Sequence, residues 1–181
     1  MDSDGSSTVA LTVASTAWQD AFEALEPLAS HIVRATLDEA AAASWLKAGE
    51  VSLLLTDDEE IRALNAAYRS RDRATNVLSF PGLDLVDGQT PTTPPPGPAM
   101  LGDIVISFER LAEEALAEKK GLIDHFAHLL VHGTLHLLGY DHGDDAQAQV
   151  MEGLEATVLK TLGFSPPYAA FADADGVGAA T

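Results

Sequence analysis

His132-Gly133-Thr134-Leu135-His136-Leu137-Leu138-Gly139-Tyr140-Asp141-His142 is the stretch on which the reading of this chain turns. Apolar residues around it predict a helix over 122–138. On that helix His132 and His136 share a face, with Cβ atoms about 5–6 Å apart, a separation that one metal ion can bridge. Gly139 supplies the residue type that ends a helix in a left-handed cap. The chain then turns through Tyr140 and Asp141 and returns His142 toward the same face. Three neutral imidazoles suffice for zinc, and three protein ligands leave a fourth position for water, as in catalytic rather than structural sites. A single histidine on an apolar helix face is more simply a packed core residue. The pair, followed by a third histidine after a helix-stopping glycine, reads instead as a metal-hydrolase centre. Phe126, Leu129, Leu130, Gly133 and Leu137 give the helix a mostly apolar circumference, so it is expected to be central, and its burial to hold the two ligands rigidly.

Two further histidines need placing. His128 lies one turn before His132, but His128 and His136 are about 12 Å apart along a straight helix axis. With metal–nitrogen bonds of about 2.0–2.1 Å, the three cannot meet at one ion, so His142 is the better third ligand. His128 is expected to pack beside the site or contact substrate, and His125, near the helix start, to be a polar surface residue. A zincin protease carries Glu after its first histidine as general base. Here that position is Gly133, which cannot move a proton, and this counts against peptidase chemistry.

Two more stretches accompany the histidines. Tyr68-Arg69-Ser70-Arg71-Asp72-Arg73-Ala74-Thr75-Asn76-Val77-Leu78-Ser79-Phe80-Pro81 joins a basic segment to a strand, and Leu101-Gly102-Asp103-Ile104-Val105-Ile106-Ser107 reads as a second strand. Together with the histidine string, and in this order and spacing, they resemble the three signatures of the YbeY family, bacterial endoribonucleases of ribosomal RNA maturation. The resemblance covers roughly residues 50–168. It implies zinc-dependent, single-strand-specific cleavage of ribosomal RNA precursor in maturation of the small-subunit 3′ end, and a part in ribosome quality control. It also implies the ribosome or its associated proteins as partners, and a catalytic Arg69 that contacts RNA or stabilises charge in the reaction. The chain departs from the family pattern in a longer, proline-rich stretch over 82–100 and in extra polar or small residues at both ends.

A formal net charge of −18 argues against a general nucleic-acid binder. Distribution matters more than the sum. Of ten Lys and Arg in the chain, Arg62, Arg69, Arg71 and Arg73 fall within twelve positions. By themselves they read as a solvated loop; with the resemblance they read as an RNA-facing patch in which Arg69, Arg71 and Arg73, with His128, bind substrate. Asp141, beside a ligand, either orients an imidazole from outside the ligand set or merely shapes the turn.

With 181 residues, 46% apolar and 21% charged, the chain reads as one soluble globular domain over 1–168. It holds no cysteine, so any zinc must use histidine or carboxylate. Residues 1–7 are acidic and polar where a signal peptide would be basic then apolar, and no apolar run reaches the about 18 residues of a membrane span. A cytoplasmic location without membrane contact is expected. An edge strand is expected over 8–13, helices over 18–34 and 37–47, a buried strand over 51–56 and a helix ending near Arg69. A strand over 76–80, a mobile loop over 82–100 and a strand over 102–107 come next, then a helix over 108–119. After the metal helix, Asp144 or Asp145 caps a last helix over 146–162. Residues 1–7 and 169–181 are expected to be disordered. The pattern gives an α/β (α+β) fold: a mixed sheet of about four strands covered by helices, with a central metal-binding helix. Two other functions fit the residues. One is a ribosome-assembly binding factor whose metal is mainly structural, favoured by the missing general base. The other is a metal-dependent hydrolase of peptides or small molecules.

Overall fold

Four strands carry the site, and their order follows from which of them can be buried on both faces. The computed structural model describes residues 8–89 and 93–165. The disorder expected of 1–7 and 169–181, and part of the expected loop, lie outside these residues. In chain order the elements are β1 (Val9–Val13), α1 (Thr16–Ala21), α2 (Leu25–Ala40), α3 (Ser44–Lys47), β2 (Glu50–Thr56) and α4 (Asp58–Arg69). They continue with β3 (Val77–Pro81), β4 (Met100–Ser107), α5 (Phe108–Ala117), α6 (Leu122–Leu137) and α7 (Asp145–Leu162). The sheet runs β1-β2-β4-β3. β1, β2 and β4 are parallel, and β3 closes the other edge antiparallel to β4. This is the α/β architecture with a four-stranded mixed sheet that the pattern predicts.

Strand alternation splits the core in two. Val51, Leu53 and Leu55 of β2 and Ile104 and Ile106 of β4 face α2, α6 and α7 in the main core. Leu54, Leu78 and Val105 point the other way and meet Ile61 and Leu64 of α4 in a smaller cluster. Trp18 anchors the main core. It is fully buried, lies 5.7, 5.3 and 5.6 Å from the rings of Phe22, Phe108 and Phe126, and its indole N–H donates to the Thr56 carbonyl at 2.9 Å. Each fully buried Leu, Ile or Phe contributes about 1.5–3 kcal/mol, so α6, with ten buried residues on all sides, is held firmly at the centre.

The expected helices over 18–34 and 37–47 are divided differently. α1 stops at Ala21 and α2 runs unbroken from Leu25 to Ala40. Pro27 explains the break: inside a helix over 18–34 it would lack a needed N–H and clash with the preceding turn. In the first turn of α2 no such hydrogen bond is required. Pro81 is the last residue of β3, paired with Gly102, and an edge strand tolerates it.

Of the segment over 82–100, residues 82–89 are irregular but tied down. Gly82 N–H donates to Leu101 O, Leu85 is buried, and Val86 and Gln89 pair across a tight turn. Gly88 N–H reaches Leu138 O at 2.8 Å, while Gly88 O accepts from Ala42 N–H at 3.0 Å, linking the ends of α6 and α2. Residues 90–92 lie outside the described range.

Candidate metal centre and arginine cleft

The two helical histidines face one another as the spacing requires. His132 and His136 have ring centroids 4.6 Å apart and Nε2 atoms 3.0 Å apart. Gly139, at φ 88°, ends α6 in the left-handed conformation, and a Cβ there would sit 2.0 Å from Leu85 O. The turn beyond brings the exposed His142 ring to 5.6 Å from His132 and 5.2 Å from His136. One nitrogen from each of the three lies within 4.8 Å of the others, so together they can hold a metal ion.

The partners of the other ring nitrogens test that fit. His132 Nδ1 lies 2.6 Å from a carboxylate oxygen of Glu155, and His136 Nδ1 lies 3.0 Å from the Tyr140 carbonyl. Both partners only accept, so both Nδ1 atoms donate, and in neutral rings the Nε2 atoms are the ones left to bind a cation. The two Nε2 atoms face one another 3.0 Å apart. Two metal–nitrogen bonds of about 2.0–2.1 Å at tetrahedral geometry would place the nitrogens roughly 3.3 Å apart. Burial, helped by the neighbouring His132 and His142, pushes the His136 imidazole down to about 4, which keeps it in the neutral, ligating form at neutral pH. The residues present fit a divalent cation.

Glu155 is the residue that sequence reasoning missed. It is 1% exposed, and its second carboxylate oxygen lies 3.0 Å from His128 Nε2. Burial alone would raise its carboxyl, but the hydrogen bonds from His128 and His132 outweigh it and hold Glu155 well below the usual carboxylate range. A signal was available. Glu155 falls on the α7 face that also carries Met151, Val158 and Leu159, and a carboxylate on a core face needs buried partners.

His128 therefore turns onto Glu155, its ring 6.4 Å from that of His132. Asp141 accepts the backbone N–H of His142 at 2.8 Å and so shapes the turn. The surface position expected of His125 is overturned: it is 3% exposed, with Nε2 2.8 Å from Glu114. The reason is that α5 packs along the first turns of α6, covering the face that a helix start would otherwise expose.

The arginines gather on the opposite face of the sheet. Asp57 caps α4 by accepting Glu60 N–H at 2.9 Å, and the helix ends at Arg69 with Ser70 in the left-handed conformation. Buried Asn65 then scaffolds the loop, its side chain donating to Arg73 O at 2.9 Å and its carbonyl accepting Arg71 N–H at 3.2 Å. Arg69, Arg71 and Arg73, with Asn65, Thr75, Val77 and Leu78, line a cleft of about 280 Å³. Arg62 does not join them; it pairs with Asp72 at 2.8 Å in solvent.

Ser79 on β3 connects the two halves. Its carbonyl accepts from Arg69 Nη2, and its hydroxyl donates to Gly133 O at 3.1 Å, next to His132. A side chain at 133 would meet Ile104 at 3.1 Å and the Ser79 hydroxyl at 3.2 Å. The glycine that cannot serve as a general base is thus the one that lets α6 approach the sheet.

A sequence model described as "Endoribonuclease YbeY" matches residues 13–163. Curated relatives carry the same name. One from Rhizobium johnstonii is 54% identical over 121 residues, covering 67% of this chain and 67% of its own length. One from Agrobacterium fabrum is 55% identical over 120 residues, 66% of this chain and 68% of its own. One from Paramagnetospirillum magneticum is 50% identical over 119 residues, 66% of this chain and 71% of its own. The fold is similar to the solution structure of TM1509 from Thermotoga maritima, with a TM-score of 0.50 at 20% identity, covering 94% of this chain and 99% of the other.

Proposed function

The chain belongs to the YbeY family of endoribonucleases, and on that footing we propose that it cleaves single-stranded ribosomal RNA precursor with one zinc ion held by His132, His136 and His142. The observation that carries the reading is the pair of facing Nε2 atoms 3.0 Å apart, with His142 beside them, joined through Ser79 to a cleft lined by three arginines. A cation so held supplies Lewis acidity toward a phosphoryl oxygen. The chain's own residues do the rest. Glu155 and the Tyr140 carbonyl fix the tautomers of His132 and His136. Arg69 spends one of its N–H donors on Ser79, which orients the guanidinium. The remaining donors can meet phosphate oxygens in a fork and neutralise charge as it develops there. Arg71 and Arg73 hold neighbouring phosphates, and Asp141 sets the turn that presents His142. His128 borders the ligand His132, where a bound strand would pass.

In this reading the unit is a single domain over 1–168, working in the cytoplasm on small-subunit 3′-end maturation and ribosome quality control, in company with the ribosome or its proteins. Among the described residues no helix is long and apolar enough to cross a membrane. The concentration of arginines in one cleft resolves the tension with the chain's net charge of −18: attraction is local, and the acidic remainder repels RNA elsewhere.

A second reading is favoured by Gly133, which leaves the centre without an adjacent general base. It makes the protein an assembly factor with a mainly structural metal. His132→Ala and His136→Ala each test the shared premise. Elemental analysis of each folded variant should show stoichiometric zinc lost; full zinc in both would remove the site from either reading.

A further inference from the structure

Tyr68, the residue before Arg69 on α4, leaves 71% of its surface exposed. Among the described residues the other large apolar side chains so exposed are aliphatic: Val86, Met100, Leu116, Ile123 and Val150. Tyr68 is thus the one exposed large aromatic in that set. Its position is not arbitrary either. Its ring lies 5.5 Å from that of half-buried Phe80 at an interplanar angle of 64°. The Arg69 guanidinium lies 5.4 Å from the same Phe80 ring. Phe80 therefore braces both side chains, which links Tyr68 to Arg69, one of the three arginines that line the cleft.

A cationic groove beside an open aromatic ring is the arrangement that binds single-stranded nucleic acid: the cations follow the backbone and the ring receives a base. In a duplex the bases are already stacked on one another and cannot reach such a ring. We propose that Tyr68, braced by Phe80, is the stacking platform for an unpaired base of the strand whose phosphates lie on the three arginines, and that it helps the site distinguish single strands from duplex. The proposal rests on the endoribonuclease reading and adds to it the residue that reads strandedness. Because Tyr68 is held by an aromatic edge and largely exposed, replacing it leaves the fold nearly unchanged.

The test uses a short single-stranded RNA carrying 2-aminopurine, whose fluorescence falls when the base stacks. It is mixed in a stopped-flow instrument with wild type, Tyr68→Phe, Tyr68→Leu and Tyr68→Ala, and read ahead of cleavage. Wild type and Tyr68→Phe should quench the probe and bind within about threefold of each other, since both keep the ring. Tyr68→Ala and Tyr68→Leu should lose the quench, with Kd raised roughly 5- to 100-fold. The same strand annealed into a duplex should bind all four proteins alike. Quenching and affinity at the wild-type level in Tyr68→Ala would overturn the platform while leaving the nuclease reading intact. So would loss of affinity in Ala but not in Leu, because an aliphatic contact would then suffice. A wild-type protein that neither binds nor cleaves the single strand would overturn the endoribonuclease reading itself.

Discussion

Glu155 illustrates how a buried charge can be held by a site rather than merely tolerated in it. An uncompensated carboxylate in a core is costly, yet this one receives two imidazole N–H groups, at 2.6 and 3.0 Å. Glu155→Gln keeps the shape and removes the charge. It should weaken metal binding about 10- to 100-fold in chelator competition; wild-type affinity in the folded variant would show that His132 is oriented without it. Acid should act on the same group of residues in two stages. The folded-state pKa of His136 lies near 4, below its unfolded value of 6.5, so the unfolded chain takes up a proton first. Stability present above pH 6.5 is then lost as pH falls through that window. Glu155 is also depressed, from 4.5, so its contribution is lost below that value. Denaturant midpoints of chelator-treated protein should fall on acidification through both windows, and His136→Asn should flatten the upper one. A midpoint that rises on acidification would contradict the assignment. The three candidate ligands were legible because helical periodicity and a glycine stop are local signals. The place of Glu155 on an apolar face of α7 was a local signal too, but its partners were not, because they lie 23 and 27 positions away, and the burial of His125 depended on α5 in the same way.

At the scale of elements, most boundaries could be read from caps and breakers. Asp144 caps α7 by accepting Gln147 N–H at 2.8 Å, and Gly163 ends that helix at φ 84°. Pro27, which the expected helix over 18–34 passed over, explains why α2 begins where it does. What periodicity alone does not show is the contact made by each turn. Gly139 is a helix stop in sequence, but in the fold a side chain there would also strike Leu85 O, and one at neighbouring Gly88 would strike Ala40 O and the Tyr140 hydroxyl. The proline-rich stretch therefore begins with a turn that buttresses the loop carrying His142. Gly139→Ala adds the left-handed penalty of about 1–2 kcal/mol to a backbone clash. It should lower stability by at least that amount in denaturant titration and weaken metal binding by displacing His142. A variant with unchanged midpoint and metal affinity would mean that the turn does not position the third ligand.

For the whole molecule, the fold class was legible because strands and helices alternate along the chain, and the resemblance agreed with it. Strand order was not: pairing β2 with β4 and placing β3 antiparallel at the edge are non-local choices made by burial on both faces of β4. That placement brings the arginine cleft and the histidine centre to opposite faces of one edge strand, with Ser79 between them. The proposed reaction requires these two halves to act as one catalytic site. Its most direct test is to measure, on the same preparations, zinc content and cleavage of single-stranded ribosomal RNA precursor by wild type and Arg69→Ala. Near-stoichiometric zinc in both, with cleavage by wild type and at least about 100-fold less by the variant, is the expected result. Equal cleavage by the two proteins, or zinc in both with cleavage by neither, would contradict it.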